Sequence, residues 1–249
     1  IEHGLTLFII GLGYKVIIAN HLAILWRDIQ GIGFESISTP LAWMGAFGYS
    51  AQLFFDFQGY SLMAIGIGEM LGFDLPKNFD HPYRSRTVSE FYRRWHITLG
   101  RWFRDYLYIP LGGNRKGNAW TFFNLLIVWV VTGMWHGSTI NFPLWGLILF
   151  VFIALERFVI RNFLEKHGWL AHLYIWFVIP LTWVVFAITK LSDLKVYFAR
   201  LFPFFGTGIA VNAGDYLKYG RTYGVFFLLA FVVSLPFMDK ILKKCWKKW

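Results

Sequence analysis

AWTFFNLLIVWVVTGMWHGSTINFPLWGLILFVFIAL, residues 119–155, runs for 37 residues without an Asp, Glu, Lys, Arg, Tyr or Cys, and its one titratable side chain is His136. One crossing of a bilayer takes about 20 helical residues, so the stretch is too long for a single span and reads as two. The break is expected near Asn141-Phe142-Pro143, because proline cannot continue the hydrogen-bond ladder. A charge placed in such a segment costs roughly 2.5–3.5 kcal/mol on insertion scales, which makes a lone ionisable group a functional candidate by default. Gly133 and Gly137 lie on either side of His136, one helical turn apart. They remove side-chain bulk and let a substrate or another backbone approach. On position alone, a general base and a histidine bonded to a neighbouring helix both stand.

Working outward, the composition belongs to a membrane protein: 57% hydrophobic, 21% aromatic and 15% charged over 249 residues. The net charge of +10 is gathered in particular loops, and no recognition helix or zinc-finger spacing occurs. Anionic lipid headgroups are therefore the expected counter-charge, and no nucleic acid. A single cysteine, Cys245, excludes an internal disulfide framework and a cysteine-based metal site. The chain opens Ile1-Glu2-His3-Gly4, without Met or a signal-peptide pattern, and is expected to be a piece of a longer protein.

The expected fold class is all-α, a polytopic transmembrane helical protein with interfacial or re-entrant helices, in one membrane domain over residues 1–249. Residues 5–73 are expected to hold membrane helices. Leu5–Trp26 is long enough to span, with Lys15 and His21 facing protein or snorkelling. Ala64, Gly68 and Gly72 recur at the four-residue spacing of close helix packing. Gly66-Ile67-Gly68 fits packing better than a phosphate loop, since no strand precedes it. Residues 74–118 form a basic segment, with nine Lys and Arg against three acids between Lys77 and Lys116. Its many aromatics suit an interfacial or re-entrant position. Residues 119–160 are the hairpin, and 169–189 and 223–238 are further spans interrupted at Pro180 and Pro236.

With the basic segment in the cytoplasm, the Asn141 turn is external, Arg157–Lys166 internal, Leu191–Arg221 external and the Lys240–Lys248 tail internal. His136 then lies past the helix midpoint, toward the outside.

Histidine suits proton transfer because its ordinary pKa of about 6.5 lies near working pH. His136 and His96, the latter in Arg93-Arg94-Trp95-His96-Ile97, are the catalytic candidates. Arg94 and Arg104 suit phosphate or thioester-carrier groups through bidentate hydrogen bonds, with headgroup anchoring as the alternative. Trp95 and Trp135, each preceding a candidate histidine, complete the substrate-binding candidates. His-Glu-x-x-His, a phosphate-binding Gly-Lys-Ser/Thr loop and a Gly-x-Ser-x-Gly elbow do not occur, and no metal site is expected.

The ordered motifs resemble a known family. They are Phe54-Phe55-Asp56-Phe57-Gln58-Gly59-Tyr60-Ser61, Asn78-Phe79-Asp80-His81-Pro82-Tyr83, Phe91-Tyr92-Arg93-Arg94-Trp95-His96-Ile97, Trp102-Phe103-Arg104-Asp105-Tyr106-Leu107-Tyr108-Ile109-Pro110-Leu111-Gly112-Gly113-Asn114-Arg115 and Trp135-His136-Gly137. Together they look like the membrane-bound O-acyltransferase (MBOAT) superfamily, in its bacterial branch of alginate and peptidoglycan O-acetylases, over roughly the C-terminal half. The resemblance implies that His136 is the family's near-invariant histidine and His96 its second active-site histidine, both lining a tunnel through a thinned core. It implies no bound cofactor, an acyl thioester co-substrate such as acetyl-CoA, an extracytoplasmic acetyltransferase partner and residence in the bacterial inner membrane. D-alanyl transfer is the alternative within the same chemistry. A non-catalytic scaffold or transporter component is the alternative outside it.

Overall fold

The computed structural model describes residues 1–204 and 211–235. In chain order its α-helices are α1 (Glu2–Gly13), α2 (Asn20–Ile32), α3 (Thr39–Met70), α4 (Val88–Arg94), α5 (Ile97–Phe103), α6 (Asn118–His136), α7 (Asn141–Leu155), α8 (Arg161–Lys166), α9 (Gly168–Ala187), α10 (Leu191–Leu201) and α11 (Asp215–Val233). Widened π turns at Tyr14–Ala19, Arg104–Tyr108 and Glu156–Ile160 join or extend several of them. The described residues contain one isolated antiparallel bridge, Phe79 with Trp95, and otherwise the fold is helical. Among the described residues, four helical runs are long and apolar enough to cross a membrane: Glu2–Ile32, Asn118–His136, Asn141–Lys166 and Gly168–Ala187. The described residues divide into two compact units, one of residues 1–77 with 195–204 and 211–235, the other of residues 78–194.

In the first unit α1 lies along α3 on a glycine seam. A Cβ at Gly59 would fall 2.6 Å from the carbonyl oxygen of Gly11, and one at Gly4 would fall 2.5 Å from that of Gly66. The two contacts are seven residues apart on each helix and run in opposite senses, so the helices are antiparallel. Small residues admit this approach because nothing but backbone stands between the axes. The seam corrects the spacing expected from sequence. Ala64 is exposed, Gly68 packs on the Leu75 side chain, and Gly72 (φ +85) ends α3. There Phe73 N–H donates to Gly68 O at 2.8 Å and Gly72 N–H to Glu69 O at 3.1 Å, a Schellman closure.

Several polar residues of this unit are paired, whereas Nδ1 of His21 is buried without a hydrogen-bond partner. Lys15, in the first π turn, bonds Asp56 of α3, and the His21 ring stacks on Phe226 at 4.0 Å. Asp215, at the start of α11, accepts from the Ser38 amide at 2.9 Å, and Tyr223 donates to Asp28 at 2.8 Å. Arg200, expected in a loop, is instead buried on α10 and bonds the Glu35 carbonyl.

In the second unit α6 and α7 form the hairpin, and α9 packs on α7. The break falls earlier than Pro143. α6 stops at His136, Gly137 is extended, and α7 begins at Asn141. Pro143 sits in the first turn of α7, where a missing N–H breaks no intrahelical bond. Pro180 does not interrupt its helix either, because α9 runs through it from Gly168 to Ala187. Neighbouring helices and local adjustment absorb the freed backbone groups in such helices. Pro236, Cys245 and the Lys240–Lys248 tail lie outside the described residues.

Candidate active site

His136 is the last residue of α6 and is half-buried. Its ring is surrounded by aromatics: Trp135 at 5.0 Å, Phe186 at 5.1 Å, Trp145 at 5.2 Å and Phe142 at 6.4 Å between centroids. Glycines bring these groups together. A Cβ at Gly133 would strike the Phe142 carbonyl, one at Gly146 would strike the Trp129 carbonyl, and Gly137 lies under the Phe142 ring. Both glycines beside His136 thus admit protein, the backbone at Gly133 and a ring at Gly137. Asn141, fully buried, donates to the Phe186 carbonyl at 2.8 Å and so ties the hairpin turn to the end of α9.

Beneath this surround lies an aromatic stack. Trp145 and Trp183 are each 2% exposed and lie nearly parallel, centroids 5.7 Å apart. Both indole N–H groups are buried without a hydrogen-bond partner, a feature rare enough in folded proteins to mark the spot. Trp95 continues the stack at 5.0 Å from Trp183 and is itself buried.

His96 follows Trp95 and adopts a left-handed backbone, φ 48 and ψ 55. Its ring meets Trp135 edge to face at 6.4 Å, so Trp135 is flanked by both histidines. Nδ1 of His96 lies 3.2 Å from Oδ1 of Asn78. The Thr98 amide also points at that oxygen at 3.2 Å, which identifies it as an acceptor. Nδ1 must therefore carry the proton, leaving Nε2 as the basic nitrogen. Burial pushes the His96 pKa down to about 4, so the imidazole is neutral at neutral pH.

The remaining residues singled out from sequence lie as follows. Trp135 is exposed between the histidines, and Trp95 is packed below. Arg94 bonds Glu90 at 2.9 Å and the Asp80 carbonyl at 3.3 Å, and Arg104 is exposed and pairs with Asp105 at 2.7 Å. No site role was expected for Asn78, Asn141, Trp145, Phe186 or Glu156. Asn78 opens a recognised motif, and Glu156 is the first acid after the uncharged stretch, so signals existed for both.

The sequence model of the MBOAT, membrane-bound O-acyltransferase family matches residues 6–192. The chain is 39% identical over 204 residues to a probable alginate O-acetylase, AlgI, of Pseudomonas fluorescens, covering 82% of this chain and 41% of that one. It is 41% identical over 201 residues to a peptidoglycan O-acetyltransferase of Helicobacter pylori, covering 78% and 37%. A teichoic acid D-alanyltransferase of Bacillus subtilis is 29% identical over 175 residues, covering 67% and 44%. The chain thus spans about two fifths of the length of these relatives. With three quarters of its length matched to one family, this chain belongs to the membrane-bound O-acyltransferases.

Proposed function

We propose that the chain is the histidine-bearing part of an O-acetyltransferase of the bacterial inner membrane. It would move an acetyl group from a cytoplasmic thioester, acetyl-CoA, toward a hydroxyl of an extracytoplasmic polysaccharide such as alginate or peptidoglycan, with an extracytoplasmic acetyltransferase as partner. The observation that carries this reading is the pair of histidines on either side of Trp135, in surroundings that keep His96 neutral. His136 takes the proton of the acceptor hydroxyl as its oxygen attacks the thioester carbonyl. The C–S bond then breaks, and the imidazolium returns the proton to the departing thiolate. General-base help of this kind contributes about 10²–10⁴-fold. The Nδ1–H of His96 donates to Asn78, which fixes the tautomer in which Nε2 is the basic nitrogen. Higher identity to the two O-acetylases than to the D-alanyltransferase supports acetyl over D-alanyl transfer.

The test is transfer of labelled acetyl by the complete protein with its partner, wild type against His136→Ala. A folded His136→Ala variant should lose at least about 10²-fold in rate. Full activity in that variant would remove His136 from the mechanism, and a wild type that moves no acyl group would remove the reading.

A further inference from the structure

We infer that Glu156 is a positioning residue for His96, acting through α4; this rests on the acyl-transfer reading above. Glu156 is 4% exposed and lies at the head of the π turn that extends α7, within an apolar run long enough to span a membrane. An acid in such a place is retained only for a reason, because its desolvation must be offset by donors. The donors here are those of another helix. Its two oxygens accept from the Val88 amide and from the Ser89 amide at 3.1 Å and hydroxyl at 3.2 Å, and the Tyr174 hydroxyl of α9 lies beside them.

Val88 and Ser89 are the first two residues of α4, whose N–H groups have no partner within their own helix. The next two are satisfied locally, Glu90 N–H by the Thr87 hydroxyl at 3.0 Å and Phe91 N–H by the Thr87 carbonyl at 2.9 Å. Glu156 therefore completes the cap and pins the start of α4 to the end of α7. α4 is only seven residues long, and its far end delivers Trp95 and then His96. His96 is one of two non-glycine residues with positive φ among the described residues. A left-handed residue of this kind persists only where its surroundings over-determine it. Asn78 constrains it from the side-chain end, and Glu156 from the helix that leads into it. The hairpin that carries His136 thereby also sets the position of His96.

The experiment compares wild type, Glu156→Ala and Glu156→Gln in the complete protein, all checked for monodisperse folding. Misplacing a catalytic group by about 1 Å can cost 10²-fold, so Glu156→Ala should lower kcat by about 10–100-fold with KM for acetyl-CoA changed less than about twofold. Glu156→Gln, which keeps one accepting oxygen, should recover part of kcat. Amide exchange at residues 88–95 should rise about tenfold in Glu156→Ala and stay unchanged at 118–136. Modification of His96 by diethyl pyrocarbonate should quicken without a change at His136. Unchanged exchange at 88–95, unchanged kcat with faster exchange, or exchange raised equally throughout the protein would each overturn the inference. A wild type that transfers no acetyl group would sink the functional reading alone, because exchange and modification report the Glu156 to His96 linkage without turnover.

Discussion

The ring of His136 meets that of Trp145 edge to face, centroids 5.2 Å apart and planes at 90°. Trp145 supplies that wall as a 2% exposed side chain whose N–H has no partner. Its contribution to stability is therefore packing and not hydrogen bonding. Trp145→Ala should cost about 3–5 kcal/mol. Trp145→Phe, which gives up a bond that was never made, should cost about 1.5 kcal/mol or less. Unfolding of both variants in detergent checks the ratio. Equal losses would mean that the indole N–H has a partner after all.

Gly146 and Gly13 make a matched pair for testing the hairpin seam. A Cβ at Gly146 meets the Trp129 carbonyl and lies 3.3 Å from Cα of Gly133, whereas one at Gly13 meets nothing within 4 Å. Gly146→Ala should lower stability by about 1–3 kcal/mol, the usual cost of overpacking, and cut acetyl transfer by moving the turn of α6 that precedes His136. Gly13→Ala should be neutral or gain up to about 1 kcal/mol from helix propensity. Melting temperatures and transfer rates of the two variants decide it.

His96 makes stability depend on pH with a definite sign. Its folded pKa of about 4 lies below the unfolded value of about 6.5. Between those values the unfolded chain binds a proton that the folded chain refuses, so stability falls as pH drops through that window and levels off below about 4. His96→Gln keeps a donor toward Asn78 and removes the titration. The loss of melting temperature from about pH 7 to about pH 4.5 should therefore be smaller in His96→Gln than in wild type. Parallel curves would mean that His96 is already protonated in that window.

The uncharged run of residues 119–155 made both hairpin helices and His136 legible, because length and hydropathy are local properties. The break lies directly before the Asn141-Phe142-Pro143 expected for it, but Pro143 does not make it, since proline disrupts a helix interior but suits its first turn, and only the fold shows which turn it occupies. Pro180 was misread for a related reason, as packing around α9 absorbs its missing bond. Gly59 and Gly66 carried no signal of their partners, because Gly11 and Gly4 lie about fifty to sixty residues away and four-residue spacing pointed to the wrong face. The supports of His96 were hidden similarly: Asn78 reaches it across 18 residues, and Glu156 reaches the start of α4 across 68.

Lys15 and Asp56 offer a separate test in the first unit, where sequence left Lys15 to face protein or snorkel. The two bond to each other between the first π turn and α3, just past the Gly11 and Gly59 contact. Removing one partner leaves the other charge without compensation beside apolar surface, while removing both restores balance. Lys15→Met and Asp56→Leu should therefore each destabilise more than the double variant predicts by addition. The coupling should be about 0.2–1 kcal/mol, the range for exposed pairs, because both side chains are more than a third exposed. It should shrink on raising salt, since exposed charges are screened. A double-mutant cycle by thermal unfolding at low and high salt measures both, and strict additivity would mean that each charge reaches water on its own.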